Sequence, residues 1–333
     1  MEDPKQLILA DQNLKDIAPV MDAEIDIAIG EENDYEIKIL RDEWRSEYTF
    51  GNVFYVKDTE YGGIIGEVDT STAEDTISLL GRTWRGMLDK KIIRPPTGQD
   101  YKKVSGELNA VLGELITEQF DDYFVVSQDD TGVSLTNYQF DRYCTLLAGI
   151  NKMLKSVGYR LKIRYVQQER GQPGYVELSA VPIVDYSEQI ELSQDSQLNF
   201  TFKNCRNGVN HLICLGKGEL QDRQVIDLYV QEDGSIGSEP FYTGIQEIAE
   251  TYEDTSSETD ELEEKGREKL LELMNSTSFS MDVESLNMDV EIGDIIGGRD
   301  YLTGLYAKKP IVKKIYRVED GEPSLEYGIE GDD

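Results

Sequence analysis

The sequence contains a single histidine, His211, so any catalytic site that depends on histidine must be built around it. The nearest cysteine is Cys214, within the run His-Leu-Ile-Cys-Leu. Side chains three residues apart on a β-strand point to opposite faces, whereas a nucleophile and its base must lie within hydrogen-bonding distance. We therefore predict that His211 is a structural, hydrogen-bonded residue and that it forms no dyad with Cys214.

Three glycine-rich segments have the residue types of phosphate-binding loops or tight turns. The segment Gly-Lys-Gly-Glu-Leu at 216–220 resembles part of a phosphate-binding loop. It lacks the Gly-Lys-Ser/Thr ending of such a loop, and the residues that follow show no helical pattern. We interpret it as a turn that needs positive φ, and we interpret Gly62-Gly63 and Gly297-Gly298 in the same way. No residue is assigned to a cofactor.

Pairs of carboxylates are the groups that serve glycoside hydrolysis and calcium binding. The chain has 66 Asp and Glu among 333 residues, so such pairs occur throughout and single out no site. Asp121-Asp122, Asp129-Asp130 and Glu253-Asp254 lack the alternating ligand order and final glutamate of an EF-hand loop. We predict no catalytic residue and no metal ligand, while Ca²⁺ binding by exposed carboxylates stays open.

One basic cluster stands out within the segment GRTWRGMLDKKIIRPP at 81–96. Its cations are Arg82, Arg85, Lys90, Lys91 and Arg94. A groove for single-stranded nucleic acid interleaves cations with aromatic side chains, and here Trp84 is the one aromatic residue. We expect these cations to pair with carboxylates of this protein or of a neighbouring subunit.

The overall charge excludes several classes of ligand. There are 33 Lys and Arg against 66 Asp and Glu, which gives a formal net charge of -33. Such an excess repels double-stranded DNA and anionic membrane surfaces, because both attract proteins through Lys and Arg. Disordered acidic chains are poor in aromatic residues, whereas this one has 19 Tyr and 9 Phe. The composition indicates a folded protein, and the length suggests about two domains at roughly 150 residues each.

Targeting and redox signals favour synthesis inside a cell. The opening Met-Glu-Asp-Pro has no basic region, and no apolar run approaches the ~18 to 20 residues of a membrane-spanning helix. Cys144, Cys205 and Cys214 are odd in number and have no metal-binding spacing. We expect reduced thiols and no membrane insertion.

Hydrophobic periodicity divides the chain into three parts. Residues 1–94 alternate in the manner of β-strands, with predicted hairpins at 24–39 and 53–68. Residues 95–185 form a predicted α/β segment, because apolar residues recur at helical spacing over 104–116 and again over 140–154. Ser105 is the expected N-cap of the first of these helices.

Residues 186–333 return to β-structure and include one acidic helix. Strands are predicted near 198–202, 211–215, 225–230, 290–296, 306–318 and 325–329, the last two joined by a turn at Asp320-Gly321. The helix is expected at about 257–275, with acidic residues first and Lys265, Arg267 and Lys269 further on, an order that complements the helix dipole. We interpret the acidic run 247–264 as a solvated helix face.

Four segments resemble the siphophage tail-hub family, the amino-terminal module of tail-associated lysins. They are GRTWRGMLDKKIIRPP at 81–96, ENDYEIKI at 32–39, VNHLICLGKGELQDRQVIDLY at 209–229, and EIGDIIGGRDYLTGLYAKKPIVKKIYRVEDG at 291–321. They occur in the family's order and span nearly the whole chain. Together they are more specific than any one of them alone.

The resemblance implies an α+β fold like that of a baseplate hub. Two tail-tube-like β-barrel domains with α/β insertions would make up one subunit, and three subunits would close a ring. Residues 1–94 would begin the first barrel, 95–185 would be the inserted α/β domain, and 186–333 would complete the barrels. Cyclic symmetry is the usual rule for homo-oligomers.

The resemblance also implies a structural role without enzymatic activity. The ring would join the tail tube to the tip and surround the passage for DNA and the tape measure protein. Implied partners are two further copies of the chain, a tail tube or distal tail protein, and the tape measure protein. Because the last predicted strand is followed closely by Gly331-Asp332-Asp333, we expect any lytic, fibre or tip activity to belong to a separate protein.

The resemblance implies that the protein acts in a virion tail or a phage-tail-like particle. Such a particle is assembled from protein made in the bacterial cytoplasm. Two rival functions stay open: a carbohydrate- or receptor-binding module at the tail tip, and a cell-wall hydrolase. The residues do not distinguish contractile from non-contractile tails. An acidic channel would repel the phosphates of passing DNA over about 8 Å at physiological salt, which gives the net charge a role within the implied ring.

Overall fold

The chain folds into two compact units, Met1–Phe200 with Met281–Asp333 and Thr201–Ser280, in a computed structural model. The residues that the structure describes are 6–120, 123–169, 171–187, 191–192, 199–205, 207–256, 259–274, 276–282, 290–299 and 302–329. The predicted pair Asp121-Asp122 and the carboxyl-terminal Gly331-Asp332-Asp333 lie outside these ranges.

Strands dominate the described residues, and the helices are few. In chain order the strands are β1 (Leu7–Ala10), β2 (Asp16–Pro19), β3 (Ala23–Gly30), β4 (Asp34–Leu40), β5 (Val53–Val56), β6 (Gly62–Thr70), β7 (Thr76–Thr83), β8 (Lys103–Glu107), β9 (Phe124–Val126), β10 (Ser134–Gln139), β11 (Tyr159–Val166), β12 (Tyr175–Pro182), β13 (Glu191–Leu192), β14 (Asn199–Cys205), β15 (His211–Leu215), β16 (Val225–Val230), β17 (Ile236–Gly237), β18 (Ala249–Glu253), β19 (Ser276–Asp282), β20 (Ile295–Arg299), β21 (Tyr306–Glu319) and β22 (Glu322–Ile329). The helices are α1 (Trp84–Asp89), α2 (Leu108–Thr117), α3 (Leu146–Lys155) and α4 (Thr259–Leu273). The α+β class is confirmed.

A large sheet forms the framework of the first unit. Its described strands lie in the order β13-β20-β21-β3-β4-β7-β6-β5-β1-β2, and β22 pairs with β21. Both predicted hairpins are present, since β3 pairs with β4 and β5 with β6, each pair antiparallel. The alternation of apolar residues in β3 and β4 places Ile25, Ile27, Ile37 and Ile39 in the core beneath the sheet.

The large sheet curls around one core. Residues from both ends of the strand order pack together there, including Leu9 of β1, Phe54 of β5 and Tyr316 of β21. Within the described residues no pairing joins β13 or β22 to β2, so this part of the chain shows no closed barrel. The two barrels that the resemblance implied are therefore not confirmed, and one curled, open sheet is what the first unit shows.

An α/β lobe, residues 103–182, packs against the framework. Antiparallel β11 and β12, with β9 parallel to β12, form a three-stranded sheet, and β8 pairs with β10. Helices α2 and α3 bury the apolar stripes that the sequence predicted, including Leu112 and Leu115 of α2 and Ile150 and Leu154 of α3. These apolar side chains form part of the hydrophobic core of the lobe.

Both helices of the lobe begin later than predicted. The N-cap of α2 is Glu107, whose carboxylate accepts a hydrogen bond from the Ala110 amide at 2.9 Å, because Ser105 belongs to β8. Helix α3 is capped by Thr145 and does not extend back to Phe140, which follows β10. The periodicity predicted these residues to be helical, but they lie in or next to the paired strands β8 and β10.

The second unit is a four-stranded sheet with a helix. The strand order is β17-β16-β15-β18, and α4 packs its apolar side onto β15 and β16 through Leu262 and Leu270. A Cβ at Gly266 would overlap the Cys214 sulphur, so a glycine lets the helix approach the sheet. Helix α4, Thr259–Leu273, lies within the predicted acidic helix at about 257–275, of which 257, 258 and 275 fall outside the described residues.

The acidic run 247–264 is only partly helical. Its residues Ala249–Glu253 form β18, which lies parallel to β15. The assignment of the whole run 247–264 to a helix face is therefore wrong. Strands β14 and β19 pair with each other where the chain enters and leaves Thr201–Ser280. The three-part division at 94/95 and 185/186 stays a prediction.

Two of the three glycine interpretations are wrong. Gly62 and Gly63 lie within β6, where a Cβ would collide with the Phe54 and Arg82 carbonyl oxygens, and Gly297 lies in β20 against Ser187. These glycines permit close contact between neighbouring segments and do not supply positive φ. The turn at Gly218 has φ +98°, as the sequence predicted.

The two-residue turn between β21 and β22 gives a test of backbone conformation. Asp320 and Gly321 have φ of +52° and +81°, the signs that a type I′ hairpin turn requires. A Cβ at Gly321 would meet nothing within 4 Å, so Gly321→Ala should cost only backbone strain, about 1–2 kcal/mol. Gly113→Ala, in helix α2 and equally unobstructed, should instead stabilise by about 0.5–1 kcal/mol. Urea unfolding of both variants measures the difference, and equal effects would contradict the assignment.

Candidate functional site

The segment that carries the basic cluster joins the large sheet to the α/β lobe. Helix α1 starts where β7 ends, and the Thr83 hydroxyl caps it by accepting from the Gly86 amide at 3.3 Å. Trp84 is fully buried and stacks on Tyr165 of β11, which in turn stacks on Tyr55 of β5 with ring centroids 3.6 Å apart. The three aromatic rings therefore connect α1 to the α/β lobe through Tyr165 and to the large sheet through Tyr55.

Arg85 lies at the centre of this junction. Its guanidinium forms a buried, two-point ion pair with Glu60 in the loop between β5 and β6 and donates to the Leu161 carbonyl of β11 at 3.0 Å. Burial raises the pKa of Glu60, and the adjacent Arg85 opposes that rise by favouring the carboxylate. The guanidinium thus holds three separate segments of the chain through one group.

The other cations of the cluster lie at the surface. Lys90 is 3.6 Å from the Asp89 carboxylate, Lys91 sits over the Phe120 ring with 4.8 Å to its centroid, and Arg82 and Arg94 are exposed. The expected pairing with the protein's own carboxylates is confirmed for Arg85 and Lys90. The exposed pair contributes little energy, since water screens both charges.

His211 bridges two carboxylates and forms no dyad with Cys214. Its Nδ1 lies 2.7 Å from Glu247 and its Nε2 lies 2.9 Å from Asp227, while Tyr229 stacks on the ring at 4.2 Å. Cys214 is buried in the core beneath α4, where desolvation, with help from Asp227, raises the pKa of its thiol to about 11. The contacts confirm that His211 is hydrogen-bonded, whereas its structural role stays a prediction.

Two of the three cysteines have described side chains. Cys144 and Cys214 are free, and the side chain of Cys205 lies outside the described set. Burial also raises the pKa of Cys144, with Asp141 acting in the same direction. A thiol with a raised pKa is a poor nucleophile at neutral pH, so neither described cysteine has the environment of a catalytic one.

The loop between β15 and β16 holds a residue that the sequence did not single out. Gly216 donates to the Gln224 carbonyl at 2.9 Å and Gln224 donates to the Lys217 carbonyl at 2.8 Å, so the base of the loop is closed by backbone hydrogen bonds. Leu220 lies at the tip with 95% of its surface exposed. In the sequence, the one feature that marks Leu220 is its position among glycine and charged residues, where an apolar side chain is unusual.

The described residues contain no group of three or more His, Cys, Asp or Glu side chains that could hold a metal ion. Asp129-Asp130 and Glu253-Asp254 are described, and neither pair is part of such a group. No helix among the same residues is long and apolar enough to cross a membrane.

The chain, with its curled, open sheet, its α/β lobe and its inserted sheet-and-helix unit, is similar in fold to solved structures of prophage tail proteins. A prophage tail protein from Shewanella oneidensis matches with a TM-score of 0.53 and 13% identity over 97% of this chain and 98% of that one. A prophage tail protein from Listeria monocytogenes matches with a TM-score of 0.50 and 13% identity, covering 98% and 95%. At this identity the likeness establishes a shared fold.

No family model matches the chain, and no match was found among curated proteins. The resemblance that the four segments suggested is confirmed at the level of the fold.

The buried Arg85–Glu60 pair predicts a pH-dependent loss of stability. Arg85→Met leaves a buried carboxylate without its guanidinium and should lower the free energy of unfolding by about 3–5 kcal/mol at pH 8. Burial raises the pKa of Glu60 in the folded state, and in Arg85→Met no guanidinium opposes that rise. Stability is lost as the pH rises from the unfolded-state pKa to the folded-state pKa, so the defect of the variant should shrink towards pH 5. Urea unfolding across this pH range measures it.

The matched control for this experiment removes both charges. Arg85→Met combined with Glu60→Gln has no carboxylate left to titrate, so its difference from the wild-type protein should vary less with pH than that of Arg85→Met. A defect of Arg85→Met that is the same at pH 5 and pH 8 would contradict the assigned role of the pair.

Proposed function

We propose that this protein is a structural component of a phage tail tip, a hub that forms a trimeric ring between the tail tube and the tip. The observation that carries the proposal is the fold shared with two prophage tail proteins over nearly the full length of all three chains. The four sequence segments, found in the order of the tail-hub family, support the same conclusion independently.

The open sheet of the first unit suits assembly into a ring. In the described residues β2 lies at one end of the strand order, and β22 pairs with a single strand. Unpaired strand edges attract further chains unless they are covered, and closed assemblies are one means of covering them. The edge β2 is short and contains Pro19, features that limit uncontrolled pairing.

The net charge of -33 fits a protein that surrounds DNA without binding it. Carboxylates that line a channel repel phosphates within about 8 Å at physiological salt. In the proposed ring the channel wall is acidic, and DNA and the tape measure protein pass along it. The partners are two further copies of this chain, a tube or distal tail protein, and separate tip, fibre or lytic proteins.

A structural role also suits the buried carboxylates. The two that are buried among the described residues, Glu60 and Asp294, are each held by an arginine, Arg85 and Arg160 respectively. A glycoside hydrolase needs two carboxyl groups that flank a substrate cleft. A receptor-binding surface would cluster exposed aromatic rings, whereas the most exposed described ones, Phe50, Tyr143 and Phe241, lie on three different loops.

Light scattering coupled to size-exclusion chromatography tests the proposal. At high concentration the molar mass measured for the purified chain should be three times its monomer mass of 37.8 kDa. Negative-stain images should show threefold rings. Antibodies against the chain should label the tail tips of particles produced by cells that encode it. A chain that stays monomeric at all concentrations, together with unlabelled particles, would overturn the proposal.

A further inference from the structure

At one end of the large sheet, part of the hydrophobic core borders the protein surface. A recess of about 540 Å³ lies there, between the starts of β1, β3 and β7 and the ends of β4 and β21. We call it the sheet-end recess. Its buried apolar lining belongs to the core beneath the sheet and consists of Leu7, Val20, Ile25 and Val318. An apolar group that enters the recess would therefore extend this core.

Two further apolar residues of the recess are about half exposed. Met21 and Leu40 have 53% and 46% of their surface accessible to water. Single exposed apolar residues are normal, but these two lie beside buried core residues in one concave place. Their exposure does not stabilise the single chain, since apolar surface gains free energy only when it leaves water. An exposed apolar surface with a polar rim is typical of an interaction site.

The polar rim of the recess is acidic. Among the described lining residues, Asp22, Glu24 and Asp320 are exposed carboxylates, and Lys38 is the one cation, 3.9 Å from Glu36. Within the part of the chain that the structure describes, the side chains of Asp22, Glu24 and Asp320 form no hydrogen bond or ion pair. A cationic group that approaches the recess can therefore pair with them without breaking an existing contact.

The fold fixes the backbone at two of these carboxylates. Asp22 and Asp320 both have φ +52°, a left-handed conformation that Asp adopts more readily than most residues. Asp22 directly precedes β3, and Asp320 lies in the turn that follows β21. Strands β3 and β21 are neighbours in the sheet, with Ile25 opposite Val318. One strand pairing thus positions both acidic residues beside the apolar lining.

The charge and the shape of the recess indicate the class of its partner. Apolar side chains fit the lining, and lysine or arginine beside them would meet the acidic rim. The net charge of -33 attracts cationic segments and disfavours acidic ones, a second copy of this chain included. Pockets for small molecules cover most of the ligand, whereas the exposure of Met21 and Leu40 shows that this recess is open. A segment of another protein suits such an open site.

We propose that the sheet-end recess binds a segment of a partner protein in which apolar side chains are flanked by lysine or arginine. The apolar side chains cover Met21 and Leu40, and the cations pair with Asp22 and Asp320. Apolar contact supplies most of the affinity, while the charges steer the approach and set the orientation. All the lining residues belong to the first unit, so this site is separate from the proposed ring contacts and does not require them.

Three short peptides with a fluorescent label test the chemistry of the partner. They carry Lys-Leu-Leu-Lys, Lys-Ser-Ser-Lys or Glu-Leu-Leu-Glu between glycines, so that charge and apolarity vary separately. Fluorescence anisotropy should show that the first binds the whole chain at least about tenfold more tightly than either of the others. Its affinity should fall as salt is raised, because salt screens the pairing with the rim. Equal binding of either of the other peptides would overturn the proposal.

Substitution of an apolar wall locates the binding site. Leu40→Ser should raise the dissociation constant of the Lys-Leu-Leu-Lys peptide about tenfold. Val125→Ser is the matched control, since Val125 is a strand residue of the same unit, is 41% exposed and lies outside the recess. Circular dichroism checks the folding of both variants. Wild-type affinity in a folded Leu40→Ser chain would contradict the assigned site.

Neutralisation of the rim separates the site from the general attraction of an acidic chain. Asp22→Asn combined with Asp320→Asn keeps the left-handed backbone, which Asn also adopts, and should weaken peptide binding about tenfold at low salt. Asp100→Asn combined with Asp129→Asn removes two exposed carboxylates elsewhere in the first unit and should leave the affinity unchanged. Equal effects of the two double variants would mean that net charge alone attracts the peptide, against the proposal.

Light scattering tests whether a second copy is the occupant instead. Self-association of Leu40→Ser should equal that of the wild-type chain. If Leu40→Ser weakened self-association and the Lys-Leu-Leu-Lys peptide dissociated the oligomer, the occupant would be another copy of this chain and the proposal would be overturned. A wild-type chain that is monomeric at every concentration but binds the peptide at the recess overturns the proposed ring and leaves this site intact.

Discussion

The first unit depends on the burial of Arg85 with Glu60. A guanidinium inside a protein must have its charge balanced and its N–H groups hydrogen-bonded, and Arg85 meets this requirement only when the β5–β6 loop, α1 and β11 are all in place. The curled sheet and the α/β lobe consequently meet in one arrangement. The aromatic stack of Trp84, Tyr165 and Tyr55, also buried, joins the same elements.

The sequence predicts best those elements whose pattern is periodic and whose partners are near in the chain. The hairpins of β3 with β4 and of β21 with β22, and the acidic helix α4, follow from alternation, turn residues and charge order. The starts of α2 and α3 were misplaced because apolar residues in β8 and after β10 continue a helical stripe by coincidence. Only the pairing of β8 with β10, across about 30 residues, removes them from the helix.

The candidate sites were predictable in a more limited way. That His211 is hydrogen-bonded follows from its strand context, but its bridge depends on Asp227 of β16 and on Glu247 just before β18, which the fold brings beside it. The glycines at 62, 63 and 297 cannot be interpreted locally, since what requires them is a neighbouring backbone or side chain. Leu220 escaped notice because exposure and backbone conformation, unlike residue type, are properties of the folded chain.

The pairing of β14 with β19 has a consequence for how such proteins diversify. The intervening residues leave the first unit through one strand and return through its neighbour, so the whole of Thr201–Ser280 is spliced into the chain at a single place. Insertions of this kind are tolerated because the ends of the inserted piece lie close together. A different module could occupy the same position without rethreading the large sheet, so the inserted unit can change while the framework is inherited unchanged.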